Sequence, residues 1–109
     1  YEPPAKNGDV PAPRRAELVQ AEAARITDAR CTRELECGEV GSGKHWADLA
    51  SCRDELGRDM RRALEESDCK APVADHVESC IGVVRTTSCD DVESIDRIEA
   101  CRAKTLCGP

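Results

Sequence analysis

Apolar residues recur at intervals of three and four along most of the chain, which is the pattern of amphipathic α-helices. The first stripe predicts a helix from Arg14 to about Cys37, where Gly38 provides a C-terminal stop. A second stripe follows Asp48, a suitable N-cap residue, and predicts a helix that ends near Glu66. The apolar positions are Val19, Ala23, Ile26 and Ala29 in the first stripe, and Leu49, Cys52, Leu56, Met60 and Ala63 or Leu64 in the second.

A second pair of helices is predicted in the remainder of the chain. Pro72 opens the third helix, and Asp90 and Asp91 favour the start of a fourth, which ends at Gly108 and Pro109. The apolar faces are Val73, Val77, Cys80 and Val84, with Ile81 adjoining, in the third helix, and Ile95, Ile98 and Cys101 or Arg102 in the fourth. The pattern predicts an all-α bundle of about four helices, arranged as two antiparallel hairpins.

Residues 1–13 lack this periodicity and hold four of the six prolines. Because each proline fixes its φ angle, we expect this segment to be an extended, polyproline-like arm. We therefore divide the chain into a Pro-rich arm or linker, residues 1–13, and a helical domain, residues 14–109. The arm residues expected to make contacts are Tyr1, Pro3, Pro4, Val10, Pro11 and Pro13.

Composition indicates that the helices need a stabiliser besides their core. The 109 residues form one domain at most, and they include no Phe, one Trp and one Tyr, so there is little large apolar surface to bury. The chain has eight cysteines, none in the C-x2-C spacing of zinc ribbons, which favours disulfides made in an oxidising compartment. A zinc or copper site is the alternative use of these thiols, with His45 and His76 as the imidazole ligands.

The spacing of the cysteines predicts how they pair. Cys31 with Cys52, and Cys80 with Cys101, are each 21 residues apart and straddle a predicted turn almost symmetrically. Residues equidistant from the turn of an antiparallel hairpin lie level with each other, so each pair can form a disulfide. By the same symmetry we expect Cys69 to pair with Cys107, which leaves Cys37 with Cys89 to join the two hairpins; eight cysteines allow 105 pairings, and the spacing leaves other connectivities of these four open.

Several short motifs are candidates for sites of chemistry. In the segment 38–44, GEVGSGK, the spacing from the first glycine to the Gly-Lys pair is that of a phosphate loop. His45, however, stands where such a loop has the Ser or Thr whose hydroxyl binds magnesium, so we interpret the segment as a glycine turn. Trp46 then covers the helix ends, and the acids Glu65, Glu66 and Asp68 form a solvated helix end. We expect no catalytic residue, no metal and no cofactor.

Charge and hydropathy narrow the expected location and partners. The formal net charge of −6 argues against nucleic acid, which is bound mainly by clustered Lys and Arg. No apolar run approaches the ~18 residues of a membrane span, so we expect no transmembrane segment. We expect an extracellular or cell-surface protein, mature or trimmed, whose export signal lies upstream.

The domain resembles a known family over about residues 25–107. The resemblance lies in the run ARCTRELECGEVGSGKHW, the single Cys52, and the runs SDC, ESCIGVVRTTSC and IEACRAKTLC. These motifs are similar to those of a cysteine-rich exported lipoprotein family of myxobacteria, of unknown molecular function and labelled with natural-product biosynthesis by genomic association. The resemblance implies an exported lipoprotein and supplies no catalytic residue.

The function we expect from these features is that of a non-enzymatic, secreted or cell-surface structural or interaction subunit. Its arm would join copies of the chain into a ring or filament, or bind a cell-envelope protein. The alternative is a monomeric surface module of lipoprotein type that binds a small ligand or metal and is associated with natural-product biosynthesis. A thiol redox enzyme is the third hypothesis, although the chain lacks the C-x-x-C motif that such enzymes carry.

Overall fold

The computed structural model describes the backbone of residues 12–108, and the side chains of residues 14–108 except those of residues 93 and 95–97. The α-helices are α1 (Ala12–Glu36), α2 (Leu49–Glu66), α3 (Ala74–Thr86) and α4 (Ala103–Leu106). Two 3₁₀ segments, Cys89–Arg97 and Glu99–Cys101, lie between α3 and α4. Residues 12–108 contain no β-strand, only an isolated bridge between Val40 and Trp46. The predicted all-α fold is therefore confirmed.

Helix α1 ends in a glycine-capped turn that reverses the chain toward α2. Gly38 has a φ of 76°, a conformation that residues with a Cβ rarely adopt. Its N–H donates to the carbonyl of Leu35 at 3.0 Å, and the Glu39 N–H donates to the carbonyl of Glu34 at 2.9 Å. This pair of bonds is the Schellman motif, which satisfies carbonyls that a helix end would otherwise leave unpaired.

Helix α2 has a defined cap at each end. Asp48 precedes it and accepts a hydrogen bond at 2.8 Å from the backbone N–H of Ser51. At the other end Asp68 has a φ of 58°, and the Cys69 N–H donates to the carbonyl of Leu64 at 3.2 Å, which is a second Schellman motif. These caps explain why α2 has the predicted bounds, and they give Asp68 a structural role at the acidic helix end.

The core lies where α1 packs against both α2 and α3. Helix α3 is parallel to α1, because contacts later in α1 are made with residues later in and after α3. Arg25 pairs with Glu78, and Arg33 Nε donates to the carbonyl of Thr87 at 2.9 Å. The fully buried members of this core include Ala23, Leu64, Val77, Val84 and Leu106. A smaller cluster of Cys31, Trp46, Cys52 and Leu56 closes the hairpin between α1 and α2.

The prediction of a continuous fourth helix is wrong. Extended backbone at Ile98 (ψ 127°) and Arg102 (ψ 142°) divides the segment into the two 3₁₀ stretches and the four-residue α4. Asp and Ser side chains are frequent here, and they compete with helical hydrogen bonds by bonding to nearby backbone groups. Three disulfides also hold the segment at separate points, since its three cysteines bond to three different parts of the domain.

The predicted inner faces need smaller corrections. Arg102 is exposed and Cys101 is buried, so Cys101 is the core-facing member of that pair, and the Ile95 side chain lies outside the described residues. In α2, Leu64 is buried and Ala63 exposed. Helix α3 begins after Pro72, with Val73 as its N-cap residue.

Candidate functional site

Four disulfides form the framework of the domain. Cys31–Cys52, Cys37–Cys89, Cys69–Cys107 and Cys80–Cys101 have Cα separations of 6.0, 5.4, 5.4 and 4.8 Å, and no described cysteine is free. Three of these pairs are those that the mirrored spacing predicts, and Cys37–Cys89 is the pair that this prediction leaves over. They join α1 to α2, α1 to the first 3₁₀ segment, the end of α2 to the end of α4, and α3 to the second 3₁₀ segment.

The disulfides differ in their access to solvent. Both cysteines of Cys31–Cys52 are 0% exposed, and those of Cys80–Cys101 are 0% and 3% exposed. In Cys37–Cys89, by contrast, Cys37 is half-buried and Cys89 is exposed. A thiol reagent that attacks sulfur directly must reach it, so Cys37–Cys89 is the bond most open to exchange.

The segment around Trp46 is a packed turn. Trp46 is buried against Cys31, Cys52 and Leu56, and its ring stacks on that of His45 with 4.5 Å between centroids. Within the glycine-rich loop, the Gly41 N–H donates to the Trp46 carbonyl at 2.8 Å, and the Lys44 N–H donates to the Gly41 carbonyl at 3.0 Å. A phosphate loop needs such N–H groups directed at its ligand, so this geometry favours the glycine turn.

The residues considered as metal ligands lie apart from one another. Within the part of the chain that the structure describes, no three His, Cys, Asp or Glu side chains are grouped as metal ligands would be. His76 is half-buried on α3, and His45 is exposed in the loop. The acids Glu65, Glu66 and Asp68 are all exposed at the end of α2.

One carboxylate has a pKa displaced by its surroundings. The hydrogen bond from the backbone N–H of Ser51, with a further contribution from the Ser51 side chain, lowers the pKa of Asp48 below its ordinary value of 3.8. The ionised form is favoured because it accepts these bonds at the helix N-terminus. This is the environment of a helix cap, and it assigns Asp48 to the stability of α2.

The feature with the character of a binding site is a groove of about 340 Å³ between α1, α2 and the C-terminal segments. Five of its eight lining residues are apolar or cysteine. We call it the Arg30 groove, and it is lined by Arg30, Leu56, Asp59, Met60, Ala63, Cys101, Arg102 and Ala103.

Arg30 gives the groove its chemistry. Its Nε is buried and makes no hydrogen bond, while Arg102 at the surface pairs with Glu99 at 3.5 Å. Buried donors are ordinarily paired, so Arg30 Nε is suited to an incoming acceptor. The sequence contained a signal for this residue, because Arg30 lies four positions after the buried Ile26 and so interrupts the apolar stripe of α1.

A second groove, of about 330 Å³, lies between α1 and α3, and its character is different. Only two of its seven lining residues, Ala29 and Ile81, are apolar. Arg25 on its wall already pairs with Glu22 and Glu78, and Asp28 pairs with Arg53 at 3.2 Å. Its charges are largely neutralised from within the domain, so it is the weaker binding candidate.

The predicted interaction residues of the arm, Tyr1, Pro3, Pro4, Val10 and Pro11, lie outside the described residues, as does the side chain of Pro13. The structure therefore leaves their contacts as a prediction. Among the described residues, no helix combines the length and apolar character needed to cross a membrane.

Comparison with known proteins gives a family and no function. No curated protein and no solved structure matches the chain. A family of unknown function, DUF6184, matches residues 31–109, which include all eight cysteines of the framework. Since this match covers well over half of the chain, the protein belongs to the DUF6184 family.

Proposed function

We propose that this protein is a non-enzymatic structural or interaction subunit, secreted or held at the cell surface, that self-assembles through its N-terminal arm. The observation that carries the proposal is the way the disulfides are placed around α1. Helix α1 begins at Ala12 and so includes the last two residues of the predicted arm, and its Cys31 and Cys37 bond to α2 and to the first 3₁₀ segment. The arm is therefore attached to a helix that two disulfides join to other parts of the domain.

A rigid block suits assembly because a contact made through the arm is transmitted to the whole domain. The disulfides close loops of 21 to 52 residues, and each stabilises the fold by about 3 to 4 kcal/mol on the chain-entropy model. Such bonds persist in oxidising compartments, which supports an extracellular or cell-surface location. A subunit of this kind can tolerate conditions in which a core without Phe would otherwise be marginal.

The arm is suited to docking because it carries little ordering entropy to lose. Four prolines within residues 1–13 fix their φ angles in the free chain, so less conformational freedom is lost on binding. An arm that binds the next copy makes a head-to-tail contact. Repeated contacts of this kind form a closed ring or an open filament, according to the rotation between copies.

The test is to replace residues 1–11 with a Gly-Ser segment of equal length and to compare particle mass by light scattering and particle shape by electron microscopy. We expect the native chain to assemble and the replaced chain to be monomeric. Helical circular dichroism and the mass of the non-reduced protein serve as controls for an intact domain. If both proteins are monomers at high concentration, the assembly proposal is wrong.

The second candidate is a monomeric surface module of lipoprotein type that binds a small ligand, in the natural-product context that the resemblance implies. The Arg30 groove supports it, because its volume of about 340 Å³ falls within the range of ligand pockets, roughly 300 to 1,000 Å³. Monomeric behaviour of the native chain, together with saturable binding of an anionic small molecule, would favour this candidate over assembly.

A further inference from the structure

We propose that the Arg30 groove is the acceptor for the arm, and that it binds the Tyr1–Lys6 segment of a second copy of this chain. The inference deepens the proposed function and rests on it, since it names the surface with which the arm would assemble. It follows from three properties of the groove: its largely apolar lining, the buried Nε of Arg30 that has no hydrogen-bond partner, and the presence of both signs of charge among its lining residues.

The apolar lining of the groove suits an extended peptide. The groove is partly open to solvent, and its lining includes Leu56, Met60, Cys101 and Ala103. Of these Met60 and Ala103 are half-buried, so they can lose further solvent contact when a partner docks. Tyr1, Pro3 and Pro4 supply apolar surface in a segment whose proline φ angles are fixed in advance.

The charges of the groove complement those of the arm. Glu2 would bring a carboxylate to Arg30, whose buried Nε has no partner, and to Arg102 at the surface. Asp59 lies on the same groove and offers an acceptor for Lys6, which follows Glu2 by about 12 Å in a polyproline conformation. The groove thus presents both signs of charge, and the arm carries both in alternation.

The groove between α1 and α3 lacks these properties. Its arginine at position 25 is already paired with two glutamates of the domain, so an incoming carboxylate would have to displace them. Its walls also offer less apolar surface for the prolines and Tyr1. We therefore expect the arm to bind that groove more weakly than the Arg30 groove.

Charge reversal in the full-length chain tests the contact between copies. Glu2→Arg alters only the arm and Arg102→Glu alters only the groove, and we expect each variant to weaken self-association at least tenfold. An equimolar mixture of the two variants should regain association. In the mixture the altered arm of one variant meets the altered groove of the other with opposite charge, and the native arm meets the native groove. Arg62→Glu is the matched control: Arg62 is exposed on α2, does not line the groove, and should leave association unchanged.

Met60 provides a direct reporter, because it is the single methionine of the chain and lines the groove. With the methyl group of Met60 labelled with ¹³C, a synthetic peptide of residues 1–13 added to the full-length chain should shift this one resonance saturably. The peptide carrying Glu2→Arg should bind at least tenfold more weakly. A ¹³C-labelled methyl group of Ile81, which lines the groove between α1 and α3, should keep its resonance.

The outcomes distinguish failure of the groove assignment from failure of the proposed function. If replacing the arm abolishes assembly while Arg102→Glu does not, or if the mixture of variants fails to associate, the groove assignment is overturned and assembly through the arm stands. If the native chain is monomeric, the proposed function fails. If, in addition, the Met60 resonance does not shift when the peptide is added, the groove assignment is overturned as well.

Discussion

The two halves of the domain have the same cysteine spacing and yet different secondary structure. Cys31–Cys52 and Cys80–Cys101 both span 21 residues, but the first joins two regular helices and the second joins α3 to a 3₁₀ segment. In the first half, Gly38 and Asp48 provide caps on either side of the loop. In the second, neither Val73 nor Ile98 makes a side-chain cap. Cysteine spacing thus predicts which chain segments meet, whereas local side chains decide the conformation in which they meet.

The largest expected effect is that of reducing all four disulfides. The chain has no Phe, and its buried core is small, so packing alone must offset an ordering cost of about 1 to 2 kcal/mol per residue. We expect the helical circular dichroism signal to collapse in excess reductant at neutral pH. Retention of the full signal would mean that packing contributes far more than the disulfides.

The core of the less regular half can be compared with that of the regular half by matched substitutions. Leu64 in α2 and Leu106 in α4 are both 0% exposed, so Leu→Ala at either site should lower the free energy of unfolding by about 2 to 5 kcal/mol. Chemical denaturation of the two variants provides the measurement. A loss below about 1 kcal/mol for Leu106→Ala alone would show that the C-terminal half is loosely packed.

The Cys37–Cys89 disulfide, which links the two halves, should be the first to be reduced. Because Cys89 is exposed while both cysteines of Cys31–Cys52 are buried, limiting reductant should open Cys37–Cys89 before the other bonds. Alkylation followed by peptide mass spectrometry identifies the freed thiols. Early labelling of Cys31 or Cys52 would contradict the order of accessibility that the structure indicates.

A smaller, stabilising effect is expected at the end of α2. Asp68 occupies a left-handed conformation with a φ of 58°, which glycine adopts without the steric cost of a Cβ. Asp68→Gly should therefore raise the free energy of unfolding by about 0.5 to 1 kcal/mol, and Asp68→Ala should lower it. Thermal unfolding of the two variants beside the native chain decides the sign. A destabilising glycine would indicate that the Asp68 side chain itself supports the turn.

The smallest expected effect is a pH dependence at the start of α2. Since hydrogen bonds from Ser51 hold the pKa of Asp48 below 3.8, the folded state binds this proton more weakly than the unfolded state. The stability contributed by the cap is therefore fully present above pH 3.8 and is lost as the pH falls through the lowered pKa. Asp48→Asn, which caps without titrating, should flatten this part of the stability profile. An unchanged slope would assign the acid sensitivity to other groups.

Much of the fold could be predicted from the sequence because its signals are local or symmetrical. The bounds of α2 follow from an Asp cap and an apolar stripe. Three disulfide pairs follow from distances to the predicted turns, and Cys37–Cys89 is the pair that remains. The division of the fourth helix into short segments could not be predicted from the sequence. Val92 and Leu106 pack into the core from a segment whose path is set by three disulfides. The Arg30 groove was missed for a related reason: it is formed by side chains of α1, α2 and the C-terminal segments together, and only Arg30 disturbs a local pattern.

The central claim, that the protein is a subunit that assembles, is tested most directly by the mass of the native chain in solution. Light scattering across a wide range of concentrations, with the disulfides intact, gives that mass without labels or substitutions. The account predicts a mass that rises with concentration above the 11.9 kDa of one chain. A mass that stays at 11.9 kDa up to the highest soluble concentration would contradict it.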